Sequence, residues 1–458
     1  MKIIIGGAGQ VGFHIAQQLS SEGHDIVVID SSPELVKQIS DSLDVQAIVG
    51  HASHPDTLDR AGAADIDMLM AVTHLDEVNM VACQVAHSMF NVPLKIARIR
   101  DQSYLHPIWS DLFSRDHMPI DVVISPEMEV ARAITRCLQV PGAFDTVSLV
   151  GGKVQMLGVF CGESCPVINT PLRQLTELFP DLEIVVFGIL RDGLGLVPRS
   201  DDQILAGDQV YFVVNKENVS RAMRVFGIAD TQLRRVVVAG GGHIGTFVGE
   251  LIEREFPGVT SRIIESDQAR AHLVADQLEE TVVIHGDVID PEILSEARIS
   301  ESEAIIAVTN DDETNILASL LAKRSGSKSS IALVNNQTYA PLTSSLGIDV
   351  MISPRAITAS TILQHVRRGR IKAVHSLGAD FGEVIEGEVL ETSPLAGKKI
   401  RDAELPDGII VGAVVRGDDV ILPRGDTVTQ VKDKVVLFAP ADAVKAVERL
   451  FAVRLEFF

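Results

Sequence analysis

Tyrosine, cysteine, positive charge and long apolar runs are all scarce in this chain. Three tyrosines occur in 458 residues, and the residues four positions after Tyr104, Tyr211 and Tyr339 are Ile108, Asn215 and Thr343. The Tyr-x-x-x-Lys arrangement that can supply an acid and a base for hydride transfer is therefore missing. There is no G-x-S-x-G nucleophile elbow and no H-E-x-x-H zinc helix. Four cysteines (Cys83, Cys137, Cys161 and Cys165) are few and irregularly spaced, and Cys161-x-x-x-Cys165 has no second pair or histidine cluster to complete a zinc site. They are expected to be reduced thiols, which fits a cytosolic protein. Lysine and arginine number 40 against 62 aspartates and glutamates, a formal charge of −22. Such acidity argues against nucleic acid, whose phosphates need basic residues, and against adsorption on anionic lipid. It permits a partner with a basic face, or serves only solubility. No predominantly apolar run reaches about 18 residues, so no membrane-spanning helix and no direct membrane insertion are expected. Ile3 to Ile5 gives only three apolar residues before a glycine turn, too short for a secretory signal.

What the chain does have, it has twice. Lys2-Ile-Ile-Ile-Gly-Gly-Ala-Gly-Gln-Val-Gly12 is answered by Arg235-Val-Val-Val-Ala-Gly-Gly-Gly-His-Ile-Gly245, with the first glycines of the two G-x-G-x-x-G turns 233 residues apart. Gly50-His-Ala-Ser pairs with Gly286-Asp-Val-Ile. Ala71-Val-Thr-His-Leu-Asp-Glu-Val-Asn79 pairs with Ala307-Val-Thr-Asn-Asp-Asp-Glu-Thr-Asn315. Ile120-Asp-Val-Val-Ile-Ser-Pro126 pairs with Ile348-Asp-Val-Met-Ile-Ser-Pro354, and Val197-Pro-Arg199 with Leu422-Pro-Arg424. One duplicated unit of about 225 to 235 residues fills the chain.

Within each unit the texture changes once. Residues 1–124 and 233–352 alternate short Val/Ile/Ala strands with helical patterns, the mark of βαβ units and a parallel sheet. Residues 125–142 and 353–370 each open on Ser-Pro, which suits a helix start, and are read as connecting helices that stop at Pro141-Gly142 and at Gly369. Their apolar positions Ile134, Leu138, Ile362 and Val366 are either core or a dimer contact. Residues 143–228 and 371–458 hold short strands between turns such as Arg191-Asp-Gly and Arg416-Gly-Asp-Asp, with a closing helix. The fold class is α/β: tandem duplicated Rossmann-like parallel-sheet domains, each followed by a small α+β domain.

The glycine turns carry the chemistry. In Gly7-Ala8-Gly9-Gln10-Val11-Gly12 and in Gly240-Gly241-Gly242-His243-Ile244-Gly245, the first glycine permits the tight turn. The second lets a pyrophosphate approach the backbone, and the third lets helix and strand pack closely. The helix start offers free N–H groups and partial positive charge to phosphate. An acid about 20 positions on takes the ribose hydroxyls; Asp30 and Glu265 stand there, each closing an apolar strand. Either carboxylate repels a 2′-phosphate, so NADP is disfavoured in both halves. Thr73 and Thr309 follow Ala-Val at strand ends, where a hydroxyl can touch a ligand. Arg98 and Arg100, two apart in Ile96-Ala-Arg-Ile-Arg, share one face of a strand end and can reach phosphates, or are simply solvated. The duplicate reads Leu333-Val-Asn-Asn336, without a base, so the two sites are expected to differ in the phosphate charge they tolerate or in occupancy. Asp311-Asp312-Glu313 is either a cation site or a charge run at a helix start, and no metal is assigned. His51, His54 and His74 lie near strand ends, but their duplicates are Asp287, Asp290 and Asn310.

A Rossmann domain followed by a small α+β domain resembles the RCK (KTN) regulatory unit of potassium channels and transporters. Two units in one chain resemble the peripheral subunit of bacterial Trk potassium-uptake systems. The resemblance runs over essentially all of the chain. Its most specific stretches are the doubled glycine turns, Gly50-His-Ala-Ser-His-Pro, Val72-Thr with Asp76-Glu-Val-Asn-Met-Val-Ala-Cys-Gln, and Ala307-Val-Thr-Asn-Asp-Asp-Glu. The resemblance implies that the Rossmann halves bind NAD(H) or, alternatively, ADP or ATP. The positions are Gly7 to Gly12, Asp30, His51, Thr73, Arg98 and Arg100 in the first half, and Gly240 to Gly245, Glu265, Asp287 and Thr309 in the second. His51 stands where many RCK domains carry Asp. The resemblance further implies a cytoplasmic homotetrameric ring. That ring lies on the inner face of the cell membrane through a potassium-translocating subunit similar to TrkH or TrkG, and ligand exchange changes its shape and gates potassium flow. The expectation is a sensor and not an enzyme; the alternatives are an NAD-dependent oxidoreductase and a nucleotide-binding scaffold with no transport partner.

Overall fold

The computed structural model describes residues 1–179, 182–229, 232–339, 346–366, 371–377, 381–403 and 405–451. The chain forms two compact units, residues 1–132 with 353–365 and residues 133–352 with 366–458.

The first unit is built on a six-stranded parallel sheet of β1 (Lys2–Gly6), β2 (Asp25–Asp30), β3 (Gln46–Val49), β4 (Met68–Ala71), β5 (Leu94–Arg98) and β6 (Val122–Ile124). Their order is β3-β2-β1-β4-β5-β6. Ile3, Ile4 and Ile5 are all buried, as expected of a central parallel strand covered on both faces. Strand order reverses between β1 and β4, in register Ile3 to Met68 and Gly6 to Ala71. Beyond the carboxyl ends of that pair lies the crevice where doubly wound sheets take ligands. Helix Pro354–Gln364, expected as a connector, belongs to this unit: it packs against helix Gln10–Ser21, with Thr358, Ala359 and Ile362 buried. The stop expected at Gly369 lies outside the described residues.

The second unit contains two antiparallel sheets and another parallel one. The first small sheet comprises β7 (Ala143–Leu149), β8 (Val154–Phe160), β9 (Ile184–Arg191), β10 (Leu194–Leu196) and β11 (Gln209–Asn215). The parallel sheet follows: β12 (Arg235–Ala239), β13 (Thr260–Glu265), β14 (Val282–His285), β15 (Ala304–Ala307), β16 (Ser329–Leu333) and β17 (Val350–Ile352). The last is β18 (Ile371–Leu377), β19 (Gly382–Glu388), β20 (Ile410–Arg416), β21 (Asp419–Ile421) and β22 (Lys434–Pro440). The parallel sheet, β14-β13-β12-β15-β16-β17, repeats the order of the first unit's sheet, and the two small sheets match each other as β7-β8-β11-β9-β10 and β18-β19-β22-β20-β21.

The duplication persists atom by atom in the small sheets. Arg191 grips buried Asp208 with Nε and Nη2, both at 2.8 Å, and its Nη2 also donates to the Gln203 carbonyl. Arg416 does the same to buried Asp433 at 2.9 and 2.8 Å and to the Val428 carbonyl. Each carboxylate also accepts a backbone N–H, from Leu205 and Gln430 respectively, and so pins the turn before the neighbouring strand.

The two small sheets face each other. Leu149, Met156, Phe187, Tyr211 and Val213 of the first share one apolar core with Val384, Ala413, Val436 and Phe438 of the second. The rings of Phe187 and Phe438 stack at 5.6 Å, and Phe381 lies 5.0 Å from Phe438. Polar links close the rim: Val150 N–H donates to Glu386 at 2.7 Å, and Asp145 meets His375 at 2.9 Å. Each small domain thus finds its partner within its own chain.

Truncating Phe438, 1% exposed and central to that core, is expected to cost about 3–5 kcal/mol, read as a lowered melting temperature of the Phe438→Ala chain. The four cysteines are buried and free. Burial pushes the thiols of Cys83 and Cys137 up to about 12, so almost no thiolate exists at neutral pH. A thiol-titrating disulfide reagent is expected to leave the native chain unlabelled and to react with all four after denaturation.

Candidate functional site

Each glycine turn is set by contacts too close for a side chain. Gly7 and Gly240 take φ of +116° and +106°, a region open to glycine. A Cβ on Gly12 would sit 1.8 Å from the Gly7 carbonyl oxygen, and one on Gly245 would sit 1.9 Å from that of Gly240. The middle glycines differ. Gly9 and Gly242 are the caps of helices Gln10–Ser21 and His243–Glu255, with φ of −63° and −65°. A Cβ there would meet nothing within 4 Å. Neither backbone strain nor crowding excludes a side chain from these two positions; what its absence leaves is open space over a helix start. Gly9 and Gln10 are exposed and Val11 is half-buried; Gly242 and His243 are exposed, Ile244 is half-buried and Gly241 is buried.

The two acids stand beside the turns. Ala8 N–H donates to Asp30 Oδ2 at 2.7 Å, and Ser32 N–H donates to Oδ1 at 2.8 Å. In the second half Gly241 N–H donates to Glu265 Oε2 at 2.7 Å and Asp267 N–H to Oε1 at 2.8 Å. Each carboxylate therefore ties its turn to the next helix start, a task that sequence spacing does not reveal. Both remain half-buried. His51 and Asp287 follow β3 and β14 on the same side, since Gly50 N–H and Gly286 N–H bond the carbonyls of Asp30 and Glu265. Both side chains are exposed, with the ring of His51 4.8 Å from that of His54 and tilted 32° to it.

Across each crevice a buried asparagine holds two strand ends together. Asn79 Oδ1 accepts from Thr73 N–H and Thr73 Oγ1, while its Nδ2 donates to the carbonyls of Thr73 and Arg98. Asn315 makes the same four bonds to Thr309 and Leu333. Thr73 and Thr309 are thereby fixed at the mouth, their hydroxyls engaged within the junction. Both asparagines sit in the repeated Asp/Glu-x-x-Asn stretch, and that repetition was the only available signal of their role.

Beyond this junction the halves diverge. Arg98 ends β5, whereas Arg100 lies past the strand, exposed, with Nε 3.1 Å from Glu127; the two arginines do not share a strand face. Arg98 is half-buried, and burial together with neighbouring Arg100 pushes its guanidinium below the usual arginine value, against the pull of Glu127 and Asp76. Asp76 Oδ2 accepts the N–H groups of Arg100 and Asp101. Among the described residues, Asp76 Oδ1, Arg98 Nε and Glu127 Oε2 are buried with no partner. In the second half Asp312 uses both oxygens on Asn335 and Asn336. Asp311 caps helix Asp312–Arg324 through Thr314, and Glu313 accepts from Tyr339, so this acidic run is engaged within the protein. No group of three metal-ligating side chains occurs among the described residues, and no described helix is long and apolar enough to cross a membrane.

The TrkA-N domain profile matches residues 3–126 and again 236–354; the TrkA-C domain profile matches 159–227 and 384–452. The chain belongs to the TrkA family. It is 53% identical to the Trk system potassium uptake protein TrkA of Azorhizobium caulinodans over the full length of both chains. Identity is 39% to the proteins of that name from Halomonas elongata, over all of both chains, and Vibrio alginolyticus, over 98% of both. Among solved structures, the GsuK RCK domain aligns with 99% of this chain and 95% of its own at a TM-score of 0.60 and 18% identity. A GsuK channel bound to NAD aligns with 99% of this chain and 79% of its own at the same score and identity. These likenesses show that the tandem-RCK fold is shared.

Removing Asn79 strands the Thr73 N–H and the Arg98 carbonyl inside a buried junction. Asn79→Ala is expected to cost about 2 kcal/mol, and amide hydrogen exchange would show the loss concentrated at the ends of β4 and β5.

Proposed function

We propose that this chain is the nucleotide-sensing regulatory subunit of a Trk-type potassium-uptake system. Its two glycine-turn crevices take NAD(H), or alternatively ADP or ATP. The observation that carries this reading is the open space over Gly9 and Gly242: both lack a side chain that the fold has room for, in front of free helix N–H groups. Four features fit a nucleotide diphosphate there. The helix start supplies N–H donors and partial positive charge for phosphate. Asp30 and Glu265 keep lone pairs for ribose hydroxyls beside the turns they brace. Thr73 and Thr309 mark the far wall, and Arg98 adds a cation on one side only. A solved neighbour of the same fold is described as bound to NAD, and the relatives are potassium uptake proteins by name.

In this reading the chain's residues bind and orient, and we assign no catalysis. To gate transport, a ligand must bind two shapes of the assembly unequally. Asp30 and Glu265 suit that task, because each contacts both the glycine turn and the next helix start, so that filling a crevice bears on how the two are held. We infer a homotetrameric ring, cytoplasmic and peripheral to the membrane, acting on a potassium-translocating subunit similar to TrkH or TrkG.

Calorimetric titration of NAD+, NADH, ADP and ATP into the full chain tests the reading. Wild type is expected to bind; Gly9→Ala and Gly242→Ala are each expected to lose one class of site at a stability cost of only about 1 kcal/mol, that of an alanine cap. Arg98→Ala is expected to weaken ATP more than NAD+, since it removes charge from one crevice wall. A chain that ignores all four nucleotides, or fails to restore potassium uptake to cells lacking their own subunit of this type, would sink the proposal.

A further inference from the structure

The second crevice lacks a base at its strand end, yet it has a cation of its own. Arg270 is the third residue of helix Gln268–Gln277. Its Nε donates to the Gly241 carbonyl at 2.7 Å and its Nη2 to Thr246 Oγ1 at 3.2 Å. Thr246 is itself buried in the first turn of helix His243–Glu255, where its hydroxyl donates to the Gly242 carbonyl at 2.9 Å. Two successive peptides of the second turn are thus held, one on each side of Gly241: Glu265 accepts the N–H of Gly241 and Arg270 donates to its C=O. In the first crevice the matching positions are Leu35, third in helix Pro33–Ser42, and Phe13, fourth in helix Gln10–Ser21. Neither side chain has a hydrogen-bonding group.

We propose that Arg270 is a positioning residue that makes the second crevice the tight, slowly exchanging nucleotide site, leaving the first as the exchangeable one. The inference rests on both crevices binding nucleotides. Two physical effects act together. A turn already held in one geometry loses less conformational freedom on binding. A guanidinium fixed against the turn adds positive charge to that of the helix start, where the phosphates of an adenosine pyrophosphate would be held. The first crevice keeps its free cation across the gap, at Arg98, and a turn braced by Asp30 on the N–H side. The division of labour has a chemical consequence: the second site should hold NAD+ or ADP while the first follows their changing supply.

The test uses the full-length chain stripped of nucleotide, with NAD+, ADP and unphosphorylated adenosine as separate probes. Calorimetry gives affinities and stopped-flow displacement gives off-rates. Wild type should show two classes of site. Arg270→Leu, which installs the first crevice's residue, should weaken the tight class about tenfold for NAD+ and ADP, matching the roughly 1.4 kcal/mol expected of a charge-assisted contact. It should speed dissociation and leave the weaker class and adenosine binding unchanged. Arg270→Gln, which keeps a donor and loses the charge, guards against misfolding of the leucine variant and should speed release of NAD+ and ADP but not of adenosine. Lowered melting temperatures with unchanged off-rates would reduce Arg270 to a brace between helices and overturn the proposal. Wild type binding no nucleotide would overturn the nucleotide-sensing reading as well; wild type binding two with Arg270→Leu unaffected would overturn this inference alone.

Discussion

A backbone carbonyl occupies the space where a side chain would begin. The oxygens of Gly7 and Gly240 lie less than 2 Å from where a Cβ on Gly12 or Gly245 would stand. That approach lets each first helix start directly against the central strand, and much of the site follows from it. Gly9 and Gly242 become helix caps, and the second residue of each turn is brought within reach of a carboxylate on the next strand. Alter the approach and the strand, turn, helix and acid no longer meet. The same constraint is met twice in one polypeptide, at positions about half the chain apart.

Much of the architecture is legible in the amino-acid sequence. Parallel strands covered on both faces appear as short apolar runs, and Ile3–Ile5 and Val236–Val238 are such runs. Both glycine turns lie at strand-to-helix junctions, and Asp30 and Glu265 close the expected strands. What escaped detection had no local signal. The antiparallel strand Ala143–Leu149 has only a mixed burial pattern, because one side of it faces the other small sheet and the polar side chains of Asp145 and Ser148 interrupt its apolar alternation. Asn79 and Asn315 look like ordinary helix residues, and their importance comes from carbonyls on a strand 18 or 19 positions away. Arg270 was invisible for the same reason: its bonds reach back 29 and 24 residues. Arg98 and Arg100 do not share one strand face as their spacing suggests, because β5 ends at Arg98.

Duplication supplied two copies of a frame, and several residues around the two crevices no longer match. Core positions agree, as do the Arg–Asp grips of the small sheets and the asparagine junctions. Departures cluster in charge: Arg98 against Leu333, Leu35 against Arg270, His51 against Asp287. The frame is thus held by shape, which tolerates little change, while the electrostatics around the crevice are free to drift between copies. Two receptacles with one backbone and different fields can respond to different occupants, or to the same one at different concentrations.

The mutual covering of the small sheets bears on how such a chain came to be a single polypeptide. Phe187 in the first copy, and Phe381 and Phe438 in the second, lie on faces that either copy alone would present bare to water. A lone ancestral half would have had to meet a twin to hide its face, at a cost set by dilution. Fusion replaces that encounter with a tether, so the shielding no longer depends on how many copies a cell contains, and an assembly can be raised from these chains at low abundance without first pairing its parts.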